Sequence, residues 1–414
     1  MSLTSLSSAR LAALDAVRAL APVPVELLRA HGRFLAAPVS AARSLPGCDN
    51  SAMDGWAVRS EETQGATRDR PVRLRVVETV YAGALPSRSL QPGEAARVFT
   101  GAPLPPGADA VVRQEAARAE ADGHVLLFIH VPAGHDIRRA GEEVREGTFL
   151  FPAGQRVDSA VLGVLASQGA LTALVRPAPR VAVLATGDEL VSAGTPALPH
   201  QVHESNLVLV AALAQEAGAT VAFLERARDE DSELRAAFSR LAPHVEVLFT
   251  TGGASVGDKD RVKRVLSELG ARFFVDGVAL KPGKPVAVAR LGDTAVVVLP
   301  GNPGAATVAF DQLGRPLLLG LQGVREERRR VRARLSEERH KQAGLTYLIT
   351  TTLEHRDDGG LPWARLRPQG AGQILQNVGA EGHAVLPPGR ADFAAGDEVE
   401  VELFDRPRYV AVEE

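Results

Sequence analysis

The stretch Val181-Ala182-Val183-Leu184-Ala185 decides the fold class of this 414-residue chain. A continuous apolar run of this length is typical of a strand that is buried on both faces of a sheet. It leads directly into Thr186-Gly187-Asp188-Glu189-Leu190, where glycine and polar residues predict the end of the strand. Helix and strand patterns then alternate along the chain, which predicts a mostly parallel sheet with helices on both faces.

The alternating helices and strands are expected to continue to about residue 303. The first helix after the opening strand is expected to have Ser205 as its N-cap and to stop at Gly218. A last helix follows Asn302, with Pro303 at its first position, where a missing N–H costs little. Between them, the expected strands cover 219–224, 245–250, 286–289 and 295–299, and the expected helices cover 232–241 and 261–269.

The flanking regions have a different character. Apolar residues recur at helical spacing over 11–21, after Ser7 and Ser8, which can cap a helix. From about residue 40 to 150, short strand-like runs broken by Gly and Pro indicate an irregular β domain. These runs cover 72–80, 110–112 and 124–131, and a helix is expected over 158–169. The chain after about residue 335 predicts a small β domain.

Composition excludes several classes of protein. The chain has 47 basic and 50 acidic residues and a formal net charge of -3, which argues against a nucleic-acid binder. Its apolar runs are too short for a membrane span, and its N-terminus lacks the apolar stretch of a secretory signal. The single cysteine, Cys48, precludes a disulfide within the chain and favours the cytosol. We expect a buried or half-buried thiol there rather than a nucleophile.

Glycine-rich loops follow three of the expected strands. They begin at Thr186, at Thr251 in the sequence Thr251-Gly252-Gly253-Ala254-Ser255-Val256-Gly257, and at Pro300 in Pro300-Gly301-Asn302-Pro303-Gly304. Ligands bind at the carboxyl ends of the strands in open parallel sheets, and backbone N–H groups of such loops can close on a phosphate. A single loop is better explained as a tight turn, but three on one sheet favour a phosphorylated ligand.

Charged residues near these loops offer further chemistry. Lys281-Pro282-Gly283-Lys284-Pro285 places two positive charges in a stiff turn, which suits phosphate or molybdate as well as it suits a plain solvated turn. Asp258 and Asp260 in the glycine-rich loop, with Asp229 after another strand, suit Mg²⁺ beside a phosphate. Either Asp258 or Asp260 can also cap the helix expected from Arg261.

Clusters far upstream and downstream are less informative by themselves. Residues 46–58 are dense in turn formers and include Asp54, Thr100 opens another rigid loop, and Arg138 and Arg139 stand beside two glutamates. Turns and surface ion pairs explain these segments, although paired guanidinium groups also suit phosphate. The polar and basic run over 320–334 is better explained as a solvated linker or helix end than as an anion site, because Glu326 and Glu327 interrupt it.

Taken together, the motifs resemble those of the molybdopterin molybdenumtransferases, a family that includes the C-terminal domain of gephyrin. The resemblance covers essentially the whole chain. The matching motifs are Asp49-Asn50-Ser51-Ala52-Met53-Asp54-Gly55, Thr100-Gly101-Ala102-Pro103, Thr186-Gly187-Asp188-Glu189-Leu190, Gly252-Gly253 with Ser255-Val256-Gly257, Lys281-Pro282-Gly283-Lys284-Pro285 and Leu299-Pro300-Gly301-Asn302-Pro303.

The resemblance implies a multidomain α/β plus β fold and an elongated homodimer. The four expected domains are a discontinuous one (1–40 and 141–177), an inserted β-rich one (41–140), a molybdopterin-binding α/β domain (178–323) and a C-terminal β barrel (324–414). It also implies that adenylylated molybdopterin and molybdate meet between the α/β domain of one subunit and the second domain of the other. Mg²⁺-dependent cleavage of the pterin–AMP bond would accompany metal insertion.

The resemblance also carries over individual residues. It implies catalytic roles for Asp54, Glu189, Asp229 and Asp260, and a metal site at Asp258 and Asp260. The substrate-binding positions that it implies are Thr100, Arg138, Glu143, Gly252, Gly253, Ser255, Lys281, Lys284, Pro300 and Pro303. Glu143 stands where the family usually has Asp, and the family's Arg-rich strand and Gly-Ser loop are replaced by Leu345-Thr346-Tyr347-Leu348-Ile349 and Gly370-Ala371-Gly372.

Two other functions fit parts of the sequence. One is the preceding step, adenylylation of molybdopterin, but a stand-alone adenylyltransferase would not need the motifs at Asp54 and Thr100. The other is a non-catalytic scaffold like gephyrin. The expected partners are a second copy of the chain, a molybdopterin adenylyltransferase and maturation factors for molybdoenzymes, with no nucleic acid and no membrane.

Overall fold

The computed structural model describes residues 3–252, 261–356, 359–368 and 372–404. The chain divides into two compact units. Unit 1 contains residues 1–36, 154–159 and 172–414, and unit 2 contains residues 37–153 and 160–171. The finer division into four domains stays a prediction.

Unit 1 begins with α1 (Leu6–Asp15), β1 (Val23–Glu26) and α2 (Leu27–Ala30). The N-cap of α1 is Ser5, whose hydroxyl accepts a hydrogen bond from the Ser8 N–H at 3.1 Å. The expected caps Ser7 and Ser8 were therefore wrong, because both lie inside the helix. The helix also ends before residues 17–21, which we had assigned to it.

Unit 2 is built mainly of strands. They are β2 (Val39–Ser40), β3 (Asn50–Ser51), β4 (Gly55–Val58), β5 (Val72–Val80), β6 (Glu94–Val98), β7 (Ala110–Arg113), β8 (Ala117–Ala119), β9 (His124–Leu127), β10 (Ile137–Arg138) and β11 (Phe149–Phe151). Its helix is α3 (Ser159–Ser167). The main sheet has the order β7-β4-β6-β5-β9-β8, in which β5 and β6 are parallel. This confirms the expected irregular β domain.

The rest of unit 1 carries most of the regular structure. Its strands up to residue 299 are β12 (Thr172–Val175), β13 (Arg180–Thr186), β14 (Leu190–Val191), β15 (Val202–His203), β16 (Thr220–Ala227), β17 (Val247–Thr251), β18 (Arg272–Asp276), β19 (Leu280–Lys281), β20 (Ala287–Leu291) and β21 (Thr294–Leu299). Its helices are α4 (Asn206–Glu216), α5 (Asp231–Leu241), α6 (Arg261–Glu268), α7 (Pro303–Ala309) and α8 (Arg315–Leu321), with a π-helical turn (Phe310–Gly314) between the last two.

The α/β region has the expected mostly parallel sheet. Its order is β16-β13-β17-β21-β20-β18, and the first four strands are parallel to one another. The strand quoted at the outset is the buried β13. One strand was missed, β18, which pairs antiparallel with β20 at the edge. Ser205 and Asn302 stand at the N-caps of α4 and α7, but neither side chain makes a capping hydrogen bond.

The C-terminal strands form a closed barrel, as expected. They are β22 (Arg330–Leu335), β23 (Arg339–His340), β24 (Thr346–Glu354), β25 (Trp363–Leu366), β26 (Gly382–Leu386), β27 (Asp392–Phe393) and β28 (Glu398–Leu403). The order β24-β25-β22-β28-β26 returns to β24, which closes the barrel. The strand β19 of the lysine turn pairs with β24.

The polar and basic run over 320–334 contributes to a buried ionic network in unit 1. Arg328 Nη1 lies 2.6 Å from Asp311 Oδ2 in the π-helical turn and 3.6 Å from Glu402 Oε2 on β28. Glu402 also accepts from Arg330 at 2.8 Å, and its carboxylate lies 3.2 Å from Arg10 of α1. The expected solvated linker is therefore wrong for the second half of the run, because Arg328 is buried against these carboxylates and β22 begins at Arg330. The helix end is confirmed, since α8 ends at Leu321.

Candidate functional site

The carboxyl ends of three parallel strands in unit 1 converge closely. A Cβ atom built on Gly252, after β17, would meet the carbonyl oxygen of Thr186 at the end of β13, and would lie 2.9 Å from Thr186 Oγ1. A Cβ atom on Gly301, after β21, would lie 3.3 Å from the Gly252 Cα. Because β16 lies on one side of β13 and β17 on the other, this is a switch point of the sheet, where such folds bind ligands.

Gly252→Ala is expected to destabilise the protein by about 1–3 kcal/mol or more. Gly252 has a φ of +89°, which strains any L side chain, and its Cβ would press on the Thr186 carbonyl. Gly270→Ala is the matched control, because its φ is +86° and no atom lies within 4 Å of the added Cβ. Urea unfolding should give a larger loss for Gly252→Ala, and equal losses would contradict the close contact.

Polar groups with unused hydrogen-bonding capacity surround this crevice. The Asn206 Nδ2 at the start of α4 donates to the Gly301 carbonyl at 2.7 Å. The Asn206 Oδ1 and the Thr186 Oγ1 are buried without a hydrogen-bond partner in the described part of the chain. Buried polar atoms normally have partners, so these oxygens are available to a ligand. Sequence reasoning missed Asn206, whose signal was its place directly after the expected N-cap.

Carboxylates occupy the ends of β13 and β16. The position of a Cβ on Gly187 lies 2.8 Å from Glu189 Oε1, so the Glu189 side chain folds back over the loop. The Asp229 N–H donates to Asp188 Oδ1 at 3.3 Å. The Asp229 Oδ1 is buried and lacks a partner among the described residues. The sequence thus correctly placed Glu189 and Asp229 after two neighbouring strands.

Nearby, Glu204 has a structural position that the sequence did not indicate. Its carboxylate accepts the Leu207 N–H at 3.0 Å and so caps α4 in place of Ser205. Burial raises the pKa of Glu204, and the N–H groups of α4 oppose that rise.

The remaining implied residues of the glycine-rich loop cannot be placed. Gly253, Ser255, Asp258 and Asp260 lie outside the described residues, as does Ala371 of the C-terminal loop. Within the described residues, no group of three or more His, Cys, Asp or Glu side chains could hold a metal ion.

The two implied lysines have different surroundings. Lys281 lines a cavity of about 710 Å³ at the barrel, and its Nζ lies 5.2 Å from the centroid of the Tyr347 ring. Lys284 is exposed and is not part of that lining. The residues that share the cavity with Lys281 are Glu338, Arg339, His340, Tyr347, Arg390, Asp392, Phe393 and Ala394. Arg339 and Arg390 of this lining pair with Glu337 and Asp397, so Lys281 is the lining cation that best suits an anion.

The two implied prolines flank a loop that contacts the C-terminal barrel region. Pro300 follows β21 and Pro303 opens α7. A Cβ on Gly304 would meet Gln376 Nε2, and the Asn377 Nδ2 donates to Thr307 Oγ1 at 3.1 Å. The start of α7, directly after this loop, is therefore covered by the 3₁₀ turn at 375–377.

In unit 2, the structure brings together Asp54 and Thr100. The Asp54 Oδ1 accepts hydrogen bonds from the backbone N–H and from the hydroxyl of Thr100, both at 2.8 Å. These two bonds hold the pKa of Asp54 below its ordinary value. The Asp54 carboxylate is therefore a fixed anion at neutral pH. Asp54 and Thr100 are 46 residues apart, and the sequence predicted both but not their contact.

Arg138 lies in the same unit, beside both of the glutamates that follow it in the sequence. Its Nε donates to Glu142 Oε1 at 2.9 Å, whereas its Nη2 lies 3.6 Å from Glu143 Oε2. The Arg138 hydrogen bond lowers the pKa of Glu142. Arg139 pairs with Asp49 at 2.6 Å. The departure at Glu143 thus leaves Arg138 with a closer partner one residue earlier.

Cys48 differs from the expectation. The thiol is free and exposed, rather than buried or half-buried. It follows Pro46-Gly47 in a turn, which keeps it out of the core. Exposure alone assigns it no chemistry.

Family models match almost all of the chain. Residues 4–169 match the model described as MoeA N-terminal region (domain I and II). Residues 182–320 match the model of a probable molybdopterin binding domain. Residues 332–404 match the MoeA C-terminal region (domain IV). No helix among the described residues is long and apolar enough to cross a membrane.

Individual proteins are similar over nearly the full length. The chain is 36% identical over 402 residues to molybdopterin molybdenumtransferase 2 of Mycobacterium tuberculosis, covering 94% of this chain and 96% of the relative. It is 34% identical over 387 residues to the molybdopterin molybdenumtransferase of Nostoc sp., covering 91% and 87%. A crystal structure of the molybdopterin biosynthesis MoeA protein from Pyrococcus horikoshii matches with a TM-score of 0.83 and 29% identity, covering 98% and 100%.

Proposed function

Because the chain belongs to the molybdopterin molybdenumtransferase family, we propose that it inserts molybdenum from molybdate into adenylylated molybdopterin, with Mg²⁺-dependent release of AMP. The chain is a transferase of molybdenum cofactor biosynthesis. The observation that carries this conclusion is the match along the whole chain, which includes the N-terminal region as well as the α/β region. The adenylyltransferase and scaffold alternatives are not favoured.

The site in unit 1 has the chemistry that the proposed substrate requires. Glycines at the crevice bring backbone close to a ligand, and the unpartnered oxygens of Thr186 and Asn206 can accept hydrogen bonds from its N–H groups. Lys281, in the cavity at the barrel, supplies positive charge for molybdate or for a phosphate. In unit 2, the anion of Asp54 is held in place by Thr100.

One described carboxylate of unit 1 has the chemistry that a magnesium ion needs. The unpartnered, buried Oδ1 of Asp229 is the kind of hard oxygen ligand that Mg²⁺ prefers, and one or two carboxylates with phosphate oxygens and water complete such sites. We propose that Asp229 and Asp260, with Asp258, would hold it. When bound, Mg²⁺ would neutralise charge on the phosphoanhydride oxygens.

A turnover assay tests the function directly. Adenylylated pterin is incubated with molybdate, Mg²⁺ and the purified protein, and the pterin species and AMP are quantified. Consumption of the adenylylated pterin with AMP release is expected. Production of adenylylated pterin would identify an adenylyltransferase, and neither reaction would identify a scaffold.

We expect Lys281→Gln and Lys284→Gln to weaken ligand binding roughly tenfold to a hundredfold, because one charge-assisted hydrogen bond contributes about 1.5–3 kcal/mol. Each variant is titrated with adenylylated pterin and, separately, with molybdate. Loss for one ligand assigns that lysine to its anion. Arg18→Gln, which removes an exposed charge elsewhere in unit 1, is the control. Unchanged affinities for both ligands would make the segment a solvated turn.

The proposal includes a cytosolic homodimer in which two subunits complete each site. Sedimentation at micromolar concentration should give twice the chain mass. Asp54→Asn and Asp260→Asn should each be inactive alone, and co-refolding the two inactive chains should restore activity. Random pairing gives about a quarter of the wild-type activity if each site takes one residue from each subunit. A monomer, or a mixture that stays inactive, contradicts the shared site.

A further inference from the structure

Two aromatic residues extend the parallel strands of unit 2. The strands β5 and β6 end at Val80 and Val98, which are partners in the register. The next residues, Tyr81 and Phe99, therefore leave the sheet side by side. Their rings stack with centroids 4.9 Å apart and planes only 7° from parallel.

A guanidinium group continues this stack towards the core. The Arg97 Cζ lies 5.1 Å from the Phe99 centroid and 4.9 Å from the centroid of the buried Trp56. Arg97 Nη2 also donates to Gln114 Oε1 at 2.7 Å, which fixes its direction. The rings and the guanidinium form a ladder in the order Tyr81, Phe99, Arg97 and Trp56. Tyr81 is its outer member and is 60% exposed. An aromatic ring held flat but left open to solvent is prepared to stack against another ring.

The ladder lies beside the Asp54–Thr100 pair. Thr100 directly follows Phe99, and it donates both hydrogen bonds that fix Asp54. A Cβ atom on Gly101 would lie 3.7 Å from the Cβ of Ala82, so the segment after Tyr81 contacts the loop after Thr100. The positive charge of Arg97 also helps to lower the pKa of Asp54, after the two Thr100 hydrogen bonds. The aromatic surface and the implied catalytic anion are therefore neighbours.

We propose that Tyr81 is a substrate-binding residue whose ring stacks on a planar heterocycle of the adenylylated pterin. This inference rests on the proposed function, and it assigns the ring-binding surface of that substrate in unit 2. Adenine and pterin are both planar heterocycles, so either ring system can stack on the Tyr81 ring. Stacking tolerates different rings because each presents a π face.

The side chain at position 81 is tested with two substitutions and one control. Tyr81→Leu keeps an apolar group and removes the ring, whereas Tyr81→Phe keeps the ring and removes the hydroxyl. Phe149→Leu is the matched control, because Phe149 is another aromatic residue of unit 2 with 60% exposure. Each protein is assayed for KM and kcat with adenylylated pterin, and titrated directly with AMP and with molybdopterin.

We expect Tyr81→Leu to raise KM and one dissociation constant roughly 5- to 100-fold, with a much smaller change in kcat. Tyr81→Phe and Phe149→Leu should stay close to wild type. Weaker binding of AMP would show that the Tyr81 ring stacks on adenine, and weaker binding of molybdopterin would show that it stacks on the pterin. Unchanged KM and binding in Tyr81→Leu overturn the inference.

Two further outcomes separate the possibilities. If Tyr81→Leu dissociates into monomers in sedimentation while its ligand affinities stay intact, Tyr81 is a contact with a second copy of the chain and the inference is wrong. If the wild-type protein binds AMP or molybdopterin through Tyr81 but does not consume adenylylated pterin, the proposed function fails and the stacking platform stands.

Discussion

Replacing Asp260 with asparagine is expected to lower the turnover of adenylylated pterin roughly a hundredfold or more, while the melting temperature stays near that of wild type. A hard cation needs the carboxylate charge, which asparagine lacks. Asparagine keeps the size of the side chain and can still cap α6, which begins at the next residue. The half-saturating Mg²⁺ concentration should rise in the same variant.

Glu268→Gln is the control for Asp260→Asn, because it removes a carboxylate from the other end of α6. Glu268 pairs with Arg235 at 2.5 Å on an exposed surface, where such pairs contribute little. Its turnover should match that of wild type. An Asp260→Asn protein that melts early but keeps its specific activity would identify Asp260 as a helix cap and place the metal elsewhere.

Replacing Arg328 with alanine is expected to lower the free energy of unfolding by about 3–5 kcal/mol, because it leaves the buried Asp311 carboxylate without its guanidinium partner and removes one of three from Glu402. The side chains of Arg328, Asp311 and Glu402 are only 12%, 16% and 3% exposed. Arg332→Ala is the control, since Arg332 is 72% exposed and lies 3.5 Å from Glu398. Its loss should stay below about 1 kcal/mol. Similar unfolding midpoints in urea for the two variants would contradict the buried network.

The same network predicts how stability depends on pH. Burial would raise the pKa of Asp311, but Arg328 and His383 hold it below the ordinary value. The pKa of Glu402 is likewise lowered, since Arg10 and Arg328 outweigh burial. A carboxyl whose pKa is lowered by folding stabilises the folded protein at every pH above its pKa in the unfolded chain. This stabilisation is lost as the pH falls below about 4. Arg328→Ala should therefore lose less stability between pH 5 and 3 than wild type does.

The regular part of the fold could be predicted because its signals are local. The apolar run of β13 and the alternating pattern around it identified the sheet, and β5 was placed at its observed bounds. The helix start at Ser5 could not be resolved, because several neighbouring serines can cap equally well. The edge strand β18 carries charged residues at both of its ends, so it lacks the pattern of a buried strand.

The candidate site was less predictable, because it depends on contacts between distant residues. The sequence indicated Asp54 and Thr100 separately, but the hydrogen bonds between them depend on how β4 and β6 pair. The stack of Tyr81 and Phe99 likewise depends on the parallel register of β5 and β6. Glu142 rather than Glu143 became the closer partner of Arg138 through side-chain geometry that spacing does not reveal.

The first helix of the chain limits how the molecule can be divided. Ala9 and Ala13 of α1, and Ala16 directly after it, are buried in the same core as β13, β17 and α8, and Gly320 leaves room for Leu14. Arg10 reaches Glu402 on the last strand of the barrel. The α/β region of this chain is therefore not an independent folding unit. A fragment cut at 178 and 323 would lose the apolar face that this N-terminal segment adds to the core, so truncations or fusions at those boundaries are expected to be less stable.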